Sequence, residues 1–431
     1  MLTREDNELL CRVGPGTPMG ALFRRYWLPI MHSYELEADG APVRIRVLGE
    51  DLMAFRDTEG SLGLMEQLCP HRQAPLYIGR NEESGIRCLY HGWKFDVRGK
   101  CVDMPNEPPN STFKSKVTAR TYQSREHAGV VWAYLGDRER TPGFPVYRWA
   151  TVPDAHRIKA KWIQDANWMQ SLEGGIDTSH ASFLHRRFDL FTRAAEERGA
   201  SGGPGSGPPR TFMWQDKAPR LELQPTSYGF RYAAIRTAED GQAYVRITPH
   251  IMPCSSYPPG VPGQNRLWNC WVPRDDETCW AWDVVFNENR PLDPTEVEGL
   301  KEVRGYNGYD PATFRKFGNR DNLWLQDRQS MKTDSWTGIK GIFVQDNAVQ
   351  EGMGAIVDRT KEHLGTADLA IIAARRLYLS AARDLMERGI EPPGVDTPET
   401  YQDIESHAYV QDADAVWHRV KALDAKFAPV D

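Results

Sequence analysis

The chain has 431 residues, 40% of them hydrophobic and 26% charged, which is the composition of a globular protein long enough for two or three domains. Its 53 lysine and arginine residues stand against 59 aspartate and glutamate residues, giving a net charge of -6. Nucleic-acid binding needs a basic excess, so this balance argues against a nucleic-acid partner.

The sequence also argues against a membrane segment. No run approaches the roughly 18 apolar residues of a membrane span, and the start MLTREDNELLCRV is acidic where a signal peptide is basic and then apolar. The seven cysteines are odd in number and dispersed, which is not the pattern of a disulfide framework. We therefore expect a cytoplasmic protein with reduced thiols, some of which bind metal.

The first third of the chain has the pattern of a short helix followed by antiparallel strands. Thr3 is a candidate N-cap before Leu9 and Leu10. The alternating segment APVRIRVLGEDLMAFRD, with a turn at Gly49, predicts a hairpin, and HAGVVWAYLG predicts a further strand. These patterns indicate a small antiparallel β domain.

Two turn-rich segments of this β domain each contain one cysteine and one histidine: Cys69 and His71 in CPHR, Cys88 and His91 in CLYHGW. A zinc site is one interpretation, but a common zinc finger groups its two cysteines and then its two histidines. A Rieske 2Fe-2S cluster needs two cysteines on one iron and two histidines on the other, which two mixed loops supply. The pattern favours the Rieske cluster over zinc, and over four residues without a ligand.

A second constellation lies in NWMQSLEGGIDTSHASFLH, residues 167–185. Two imidazoles and one carboxylate with open coordination positions form the ligand set of non-haem Fe(II) oxygenases, and His180 and His185 are candidates for the imidazoles. On a regular helix their rings would lie about 140° apart, so we expect a kink or a helix end between them. Asp177 precedes His180 by three residues, and we expect it to orient that ring rather than to bind the metal.

The segment RGASGGPGSGPPR, residues 198–210, predicts a loop, either a disordered surface loop or a flap over a substrate site. Strand alternation in residues 220–253 and 265–289 predicts a second antiparallel sheet. Near the end, TADLAIIAARRLYLSAARDLMERG predicts a helix with Thr366 as N-cap and Gly389 as its stop.

The carboxylate ligand has to come from another part of the chain. Asp346 in IFVQDNAVQEGMG follows an apolar, strand-like run, where an unpaired acid is unusual. Glu351 and Asp358 are alternatives, and an N-cap or a surface acid is an equally good interpretation of Asp346 taken alone.

Together CPHR, CLYHGW, EGGIDTSHASFLH and QDNAVQE resemble the oxygenase component of Rieske non-haem iron aromatic-ring oxygenases, most closely the phthalate 4,5-dioxygenase-like branch. The resemblance runs over nearly the whole chain. It implies an α+β fold with an N-terminal Rieske antiparallel β domain and then a helix-grip (START-like) catalytic domain with an antiparallel sheet and C-terminal helices. We expect a helical segment at 1–37 that packs on the catalytic domain, the Rieske domain at 38–145 and the catalytic domain at 146–431.

The resemblance also implies the cofactors and the site residues. Its 2Fe-2S ligands are Cys69, His71, Cys88 and His91, and its mononuclear Fe(II) ligands are His180, His185 and Asp346. O2 is the co-substrate, and NAD(P)H supplies electrons through a separate flavin- and 2Fe-2S-containing reductase. The family assembles as head-to-tail trimers, so a homotrimer or a dimer of trimers is expected. In it, Asp177 relays electrons between the cluster of one subunit and the iron of the next.

Members of this branch act on aromatic acids, so an arginine that binds the substrate carboxylate is expected. Arg246, in the alternating strand AYVRITPHIMP, and Arg210, at the end of the Gly/Pro-rich loop, are the candidates, although a strand arginine more often lies on the solvated face. The expected reaction is phthalate-type ring dihydroxylation. O-demethylation of a lignin-derived methoxylated aromatic acid is the alternative, and a non-catalytic Rieske or zinc protein is the second alternative.

Overall fold

The computed structural model of the chain describes residues 2–188, 212–260 and 265–417, which form two compact units. The N-terminal unit comprises Val13–Phe144 and Val272–Asp276, and the C-terminal unit comprises the described parts of Met1–Arg12, Pro145–Trp271 and Glu277–Asp431. Residues 13–37 thus lie in the same unit as the β domain, and residues 2–12 lie in the other. Among the described residues, no helix combines the length and the apolar character that crossing a bilayer requires.

Helix α1 (Arg4–Cys11) begins the chain and belongs to the C-terminal unit. The Thr3 hydroxyl accepts a hydrogen bond from the Asp6 amide at 3.0 Å, so the predicted N-cap is confirmed.

The N-terminal unit is built from antiparallel strands. After helix α2 (Pro18–Phe23) come β1 (Trp27–His32), β2 (Val43–Val47), β3 (Glu50–Arg56), β4 (Leu62–Glu66), β5 (Arg80–Asn81), β6 (Ile86–Arg87), β7 (Lys94–Phe95), β8 (Cys101–Asp103), β9 (Gln123–His127) and β10 (Val130–Tyr134). They form small sheets in the orders β1-β10-β9, β2-β3-β4 and β5-β6-β7-β8. The predicted hairpin is confirmed as β2-β3, with Leu48 and Gly49 both at positive φ in its two-residue turn.

The C-terminal unit combines one antiparallel sheet with helices. Its elements are β11 (Arg157–Gln164), α3 (Trp168–Ile176), α4 (Phe212–Gln215), β12 (Arg220–Thr226), β13 (Gly229–Thr237), β14 (Gln242–Ile251), β15 (Ser255–Ser256), β16 (Arg266–Pro273), β17 (Cys279–Phe286), α5 (Pro294–Arg304), α6 (Ile342–Gly352), α7 (Leu369–Arg388) and β18 (His407–Asp412). The sheet order is β11-β17-β16-β15-β14-β13-β12, and β18 pairs with β14. The predicted second sheet and the α+β class are confirmed.

The last predicted helix is correct at its end and wrong at its start. It stops at Gly389, whose positive φ of 67° is the left-handed conformation that favours glycine. Thr366 is not its N-cap, because residues 366–368 form a short 3-10 turn and the α-helix begins at Leu369. The Asp368 carboxylate turns back to accept a hydrogen bond from the Gly365 amide, which stabilises this extra turn.

The C-terminal unit buries a histidine that titrates far from its usual range. His250, on β14, is fully buried, and its Nε2 lies 3.1 Å from the Tyr378 hydroxyl, which donates to the Pro253 carbonyl. Burial lowers the pKa of His250 to about 3. An unfolded histidine has a pKa of about 6.5, so the unfolded state binds more protons as the pH falls below that value.

We therefore expect His250 alone to remove about 1.4 kcal/mol of stability between about pH 7.5 and about pH 5.5. Urea unfolding at the two pH values should show this loss in the wild type and not in His250→Gln. His363→Gln, at an exposed position, is the control and should keep the wild-type pH dependence. An equal pH dependence in His250→Gln and the wild type would contradict the prediction.

Candidate metal centres

The two cysteine-histidine loops of the N-terminal unit share one backbone pattern. In the first, the Cys69 amide donates to the Ala74 carbonyl at 2.8 Å, and the Cys69 carbonyl accepts from the Gln73 amide at 2.9 Å. In the second, the Cys88 amide donates to the Trp93 carbonyl, and the Cys88 carbonyl accepts from the Gly92 amide. The fourth residue after each cysteine has a positive φ, 60° in Gln73 and 77° in Gly92. The loops are thus two copies of the same tight turn.

The two cysteines and the two histidines of this site differ in their burial. The Cys69 and Cys88 thiols are buried at 1% and 3% exposure, whereas His71 and His91 are partly exposed. The two imidazole centroids lie 4.5 Å apart, and the His71 ring stacks on the Trp93 indole at 4.2 Å. The thiols therefore meet at the inner end of the site and the imidazoles at the outer end.

The donor atoms fit a 2Fe-2S cluster. Burial raises the pKa of the Cys69 thiol to about 11, and the neighbouring Cys88 thiol adds to the increase, so two adjacent thiolates need positive charge between them. The buried Nδ1 atom of His91 has no hydrogen-bond partner among the described residues. A Rieske cluster needs two thiolates on one iron and two imidazoles on the other, which matches the buried pair of thiols and the partly exposed pair of imidazoles.

The second centre lies in the C-terminal unit, where the chain leaves α3. We expected a kink or a helix end between His180 and His185, but the α-helix already ends at Ile176, before His180, and residues 180–182 form a separate 3-10 turn. The Nε2 atoms of His180 and His185 lie 3.1 Å apart. The Asp346 Oδ1 atom lies 3.6 Å from the first and 3.4 Å from the second. Two imidazole nitrogens and a carboxylate oxygen thus converge on one point, with room for a cation between them.

The other ring nitrogen of each histidine faces an oxygen atom, at hydrogen-bond distance for His185 and farther away for His180. The His185 Nδ1 atom lies 2.8 Å from the Gln345 Oε1 atom, and the Gln345 amide nitrogen donates to the Ile339 carbonyl at 2.7 Å. This chain places the proton on Nδ1 and leaves the Nε2 lone pair for a metal. The His180 Nδ1 atom faces the Asp177 Oδ2 atom at 3.7 Å, and the Ser179 amide donates to Asp177 Oδ1 at 2.7 Å.

The carboxylates of this centre are held in the ionised form. Burial by itself raises the pKa of Asp346, but His185 and His180 outweigh it, and the pKa of Asp346 lies below its usual value. The same holds for Asp177: burial by itself raises its pKa, but the adjacent His180 ring and the backbone amides of Ser179 and His180 outweigh burial, and the pKa lies below its usual value.

Asp346 is on a helix, so the expectation of a strand before it was wrong. The apolar run before Asp346 is so short that its periodicity does not distinguish a strand from a helix. In the structure this run forms the first turn of α6. The Cα atom of Gly341, just before α6, would lie 3.2 Å from a Cβ added at Gly305, at the end of α5. Only glycines permit this close approach, which fixes the start of the helix that carries Asp346.

The two alternative carboxylates are engaged elsewhere. The Glu351 carboxylate lies 2.5 Å from the Lys316 ammonium and accepts the Trp324 indole N–H at 2.7 Å. Asp358 is exposed and caps the turn that begins at Arg359, accepting from the Thr360 amide. Neither joins the His180 cluster in the described structure.

Gln345 was missed by the sequence analysis. It precedes Asp346 directly, and an amide beside a candidate ligand carries no pattern of its own. Only the contact with His185 identifies its role.

Arg246 and Arg210 are the two arginines predicted to bind the substrate carboxylate. Arg246 lies on β14 and is partly buried, with Nη2 donating to the Pro259 carbonyl at 3.1 Å and Nη1 2.8 Å from the Met213 sulfur. Arg210 and the loop at 198–210 lie outside the described residues.

Comparison with known proteins shows the family. Residues 26–122 match the Rieske [2Fe-2S] domain, and residues 133–430 match the family described as LigXa C-terminal domain like. The chain is 42% identical over 394 residues to the phthalate 4,5-dioxygenase oxygenase subunit of Pseudomonas putida, covering 88% of this chain and 86% of that protein. It is 37% identical over 431 residues to the 3-chlorobenzoate-3,4-dioxygenase oxygenase subunit of Comamonas testosteroni, covering 97% of both.

A more distant relative is the 5,5'-dehydrodivanillate O-demethylase oxygenase subunit of Sphingobium sp. (strain NBRC 103272 / SYK-6), 30% identical over 92% of this chain and 84% of that protein. Among solved structures, dicamba monooxygenase bound to dicamba has the same fold, with a TM-score of 0.59 at 16% identity over 85% of this chain and 99% of that one. The chain therefore belongs to the Rieske non-haem iron oxygenases, as the oxygenase subunit of a multicomponent system that uses a Rieske 2Fe-2S cluster, mononuclear iron, O2 and electrons from a separate reductase.

Proposed function

We propose that this enzyme oxidises an aromatic carboxylic acid by phthalate-type ring dihydroxylation. The observation that carries the proposal is the guanidinium of Arg246, which is partly buried in the C-terminal unit and has no carboxylate partner among the described residues. Its Nε atom is buried and without a hydrogen-bond partner there. A carboxylate is the group that a guanidinium fork binds best. The 42% identity to a phthalate 4,5-dioxygenase subunit supports the same substrate class.

We propose that Cys69, His71, Cys88 and His91 hold the cluster and that His180, His185 and Asp346 hold the mononuclear iron. When bound, these groups supply electron transfer and oxygen activation. The protein residues keep the donor atoms in place: the paired loops bring the thiols together, and Gln345 keeps the proton of His185 away from its metal-facing nitrogen.

We further propose that the chain assembles as a head-to-tail trimer, or a dimer of trimers, in which Asp177 links His180 to His91 of the partner subunit. Asp177 is fixed by the Ser179 amide and faces His180. On the cluster side, the imidazole of His91 is partly exposed, and Leu89 and Tyr90 beside it are 56% and 55% exposed. Such exposed apolar residues next to a redox centre suit a subunit contact.

The relay role predicts that Asp177→Asn retains both metals and loses activity. An amide at this position cannot carry the negative charge that orients and polarises His180, so turnover should fall about 10- to 100-fold. Iron content, the Rieske absorption spectrum and the steady-state rate check this. Asp165→Asn, an exposed aspartate paired with Arg315, is the control and should keep the wild-type rate. Normal turnover in fully metallated Asp177→Asn would disprove the relay.

The reaction itself is tested by product masses. The iron-replete enzyme, a phthalate-type reductase and NADH are incubated with phthalates and with methoxylated aromatic acids. Gain of two oxygen and two hydrogen atoms supports ring dihydroxylation. Loss of CH2 with release of formaldehyde supports O-demethylation, the second candidate, which the 30% identity to a dehydrodivanillate O-demethylase subunit favours. No product from any acid would overturn the carboxylate-binding role of Arg246.

A further inference from the structure

Trp93 links the two cysteine-histidine loops of the N-terminal unit. It belongs to the loop that begins at Cys88, and its carbonyl accepts the Cys88 amide at 2.8 Å. Its indole reaches across to the other loop and stacks on the His71 ring, with the centroids 4.2 Å apart and the planes 10° from parallel. The side chain is 3% exposed and packs in the same hydrophobic core as Cys69 and Cys88. Trp93 therefore lies between the buried thiols and one of the two imidazoles.

The indole of Trp93 is itself fixed by a neighbouring segment. Its N–H donates to the Asn106 Oδ1 atom at 2.7 Å. This segment lies close against the loop, because a Cβ added at Gly92 would lie 2.7 Å from the Pro105 Cγ atom. Gly92 also has a φ of 77°, so both its conformation and the available space favour glycine there. The indole plane is thus held in place, and the stacked His71 ring is held with it.

The two histidines of this site have different aromatic neighbours. The ring beside His91 is that of Tyr90, with the centroids 3.9 Å apart and the planes tilted by 41°. Tyr90 is 55% exposed, whereas Trp93 is buried. The face of an aromatic ring carries negative charge density, and indole attracts cations more strongly than phenol does. His71 therefore lies parallel to a buried, fixed and electron-rich face, and His91 lies beside a tilted and exposed ring.

This arrangement favours the oxidised form of a cluster bound by His71. An imidazole that binds iron acquires positive charge from the metal, and it acquires more from oxidised than from reduced iron. The indole face attracts this charge and so stabilises the oxidised form more than the reduced form. Burial acts in the same direction, because one added electron makes the site more negative, and an indole that excludes water leaves that charge less solvated.

We propose that Trp93 is a positioning residue of the Rieske cluster, which holds the His71 ring in a fixed plane and lowers the reduction potential of the cluster through its π face. The inference rests on the proposed cluster ligands, Cys69, His71, Cys88 and His91. A lower potential makes the passage of each electron from the cluster to the mononuclear iron more favourable. Trp93 would thus contribute to the driving force of this transfer without binding a metal.

The test measures the midpoint potential of the cluster in the metallated enzyme at one fixed pH. Trp93→Leu keeps an apolar side chain and removes the π face, so the ratio of reduced to oxidised cluster at a given applied potential should rise about 3- to 10-fold. This corresponds to an increase of about 30 to 60 mV, at 59 mV per tenfold change. Trp93→Phe keeps an aromatic face and should restore most of the wild-type potential. The EPR spectrum of the reduced cluster should keep its Rieske form in both variants.

Phe113→Leu is the matched control. The Phe113 ring contacts the Trp93 indole at a centroid distance of 6.0 Å and an angle of 76°, and it is 44% exposed. Its replacement removes an aromatic ring from the same region and leaves the stack on His71, so it should keep the wild-type potential. If Trp93→Leu does not assemble the cluster, Trp93→Met takes its place, since methionine fills irregular apolar space without a ring.

The possible outcomes separate this inference from the ligand assignment. A wild-type or lower potential in cluster-loaded Trp93→Leu or Trp93→Met overturns the role of Trp93 and leaves the four ligands in place. An equal increase in Trp93→Phe and Trp93→Leu overturns the role of the π face. A wild-type enzyme without a Rieske EPR spectrum overturns the proposed cluster ligands, and this inference with them.

Discussion

Replacing Asp346 with alanine is expected to remove the mononuclear iron and to lower turnover more than about 100-fold, with the 2Fe-2S cluster intact. Asp346 is the anionic member of the cluster, 3.4 Å and 3.6 Å from the two imidazole nitrogens, and without it only two neutral donors remain. Residues that merely orient a metal ligand contribute about 10- to 100-fold, so loss of a ligand should exceed that range.

Iron analysis and the visible spectrum check this prediction together. Asp346→Ala should lose one iron per chain while the Rieske absorption stays at its wild-type value. Val349→Ala, an exposed position on the same helix, is the control for damage to α6 and should keep its full iron content. An Asp346→Ala protein that retains the mononuclear iron would rule out Asp346 as a ligand.

Replacing Glu173 with glutamine is expected to destabilise the C-terminal unit by about 3–5 kcal/mol. Glu173 lies on α3 with 8% exposure, and it pairs with Arg359 at 3.0 Å and with Arg375 at 2.6 Å. Burial by itself raises the pKa of Glu173, but the two arginines outweigh it, and the pKa lies below its usual value. Without the carboxylate, the charged partner of Arg359 is lost, and its remaining partners among the described residues are the Asn7 amide oxygen and the Cys11 sulfur, with the side chain 0% exposed.

Urea unfolding followed by circular dichroism measures this loss. Glu362 is the other carboxylate partner of Arg375, and its side chain is 22% exposed. Glu362→Gln should therefore lower the free energy of unfolding less than Glu173→Gln does. A matched variant that combines Glu173→Gln with Arg359→Met should regain part of the stability, because it removes the unpaired cation. Equal stability of Glu173→Gln and the wild type would show that the network is not needed.

Several elements could be predicted because they depend on neighbours in the chain. The β2-β3 hairpin follows from alternating residues and a two-residue turn, and the end of α7 follows from Gly389. The start of α7 and the helix that carries Asp346 were mispredicted. Short apolar runs and capping residues leave two local conformations close in energy, and tertiary packing decides between them.

The sequence alone determined the candidate donors at each centre, because the chemistry of the metals calls for cysteine and histidine at the cluster and for histidine and a carboxylate at the mononuclear iron. Only the tertiary structure places Asp346, and not Glu351 or Asp358, beside the two histidines, since folding brings α6 to the turn that follows α3 while Lys316 engages Glu351. The same is true of Gln345. Its role comes from a contact with His185, 160 residues away in the sequence, which local patterns do not record.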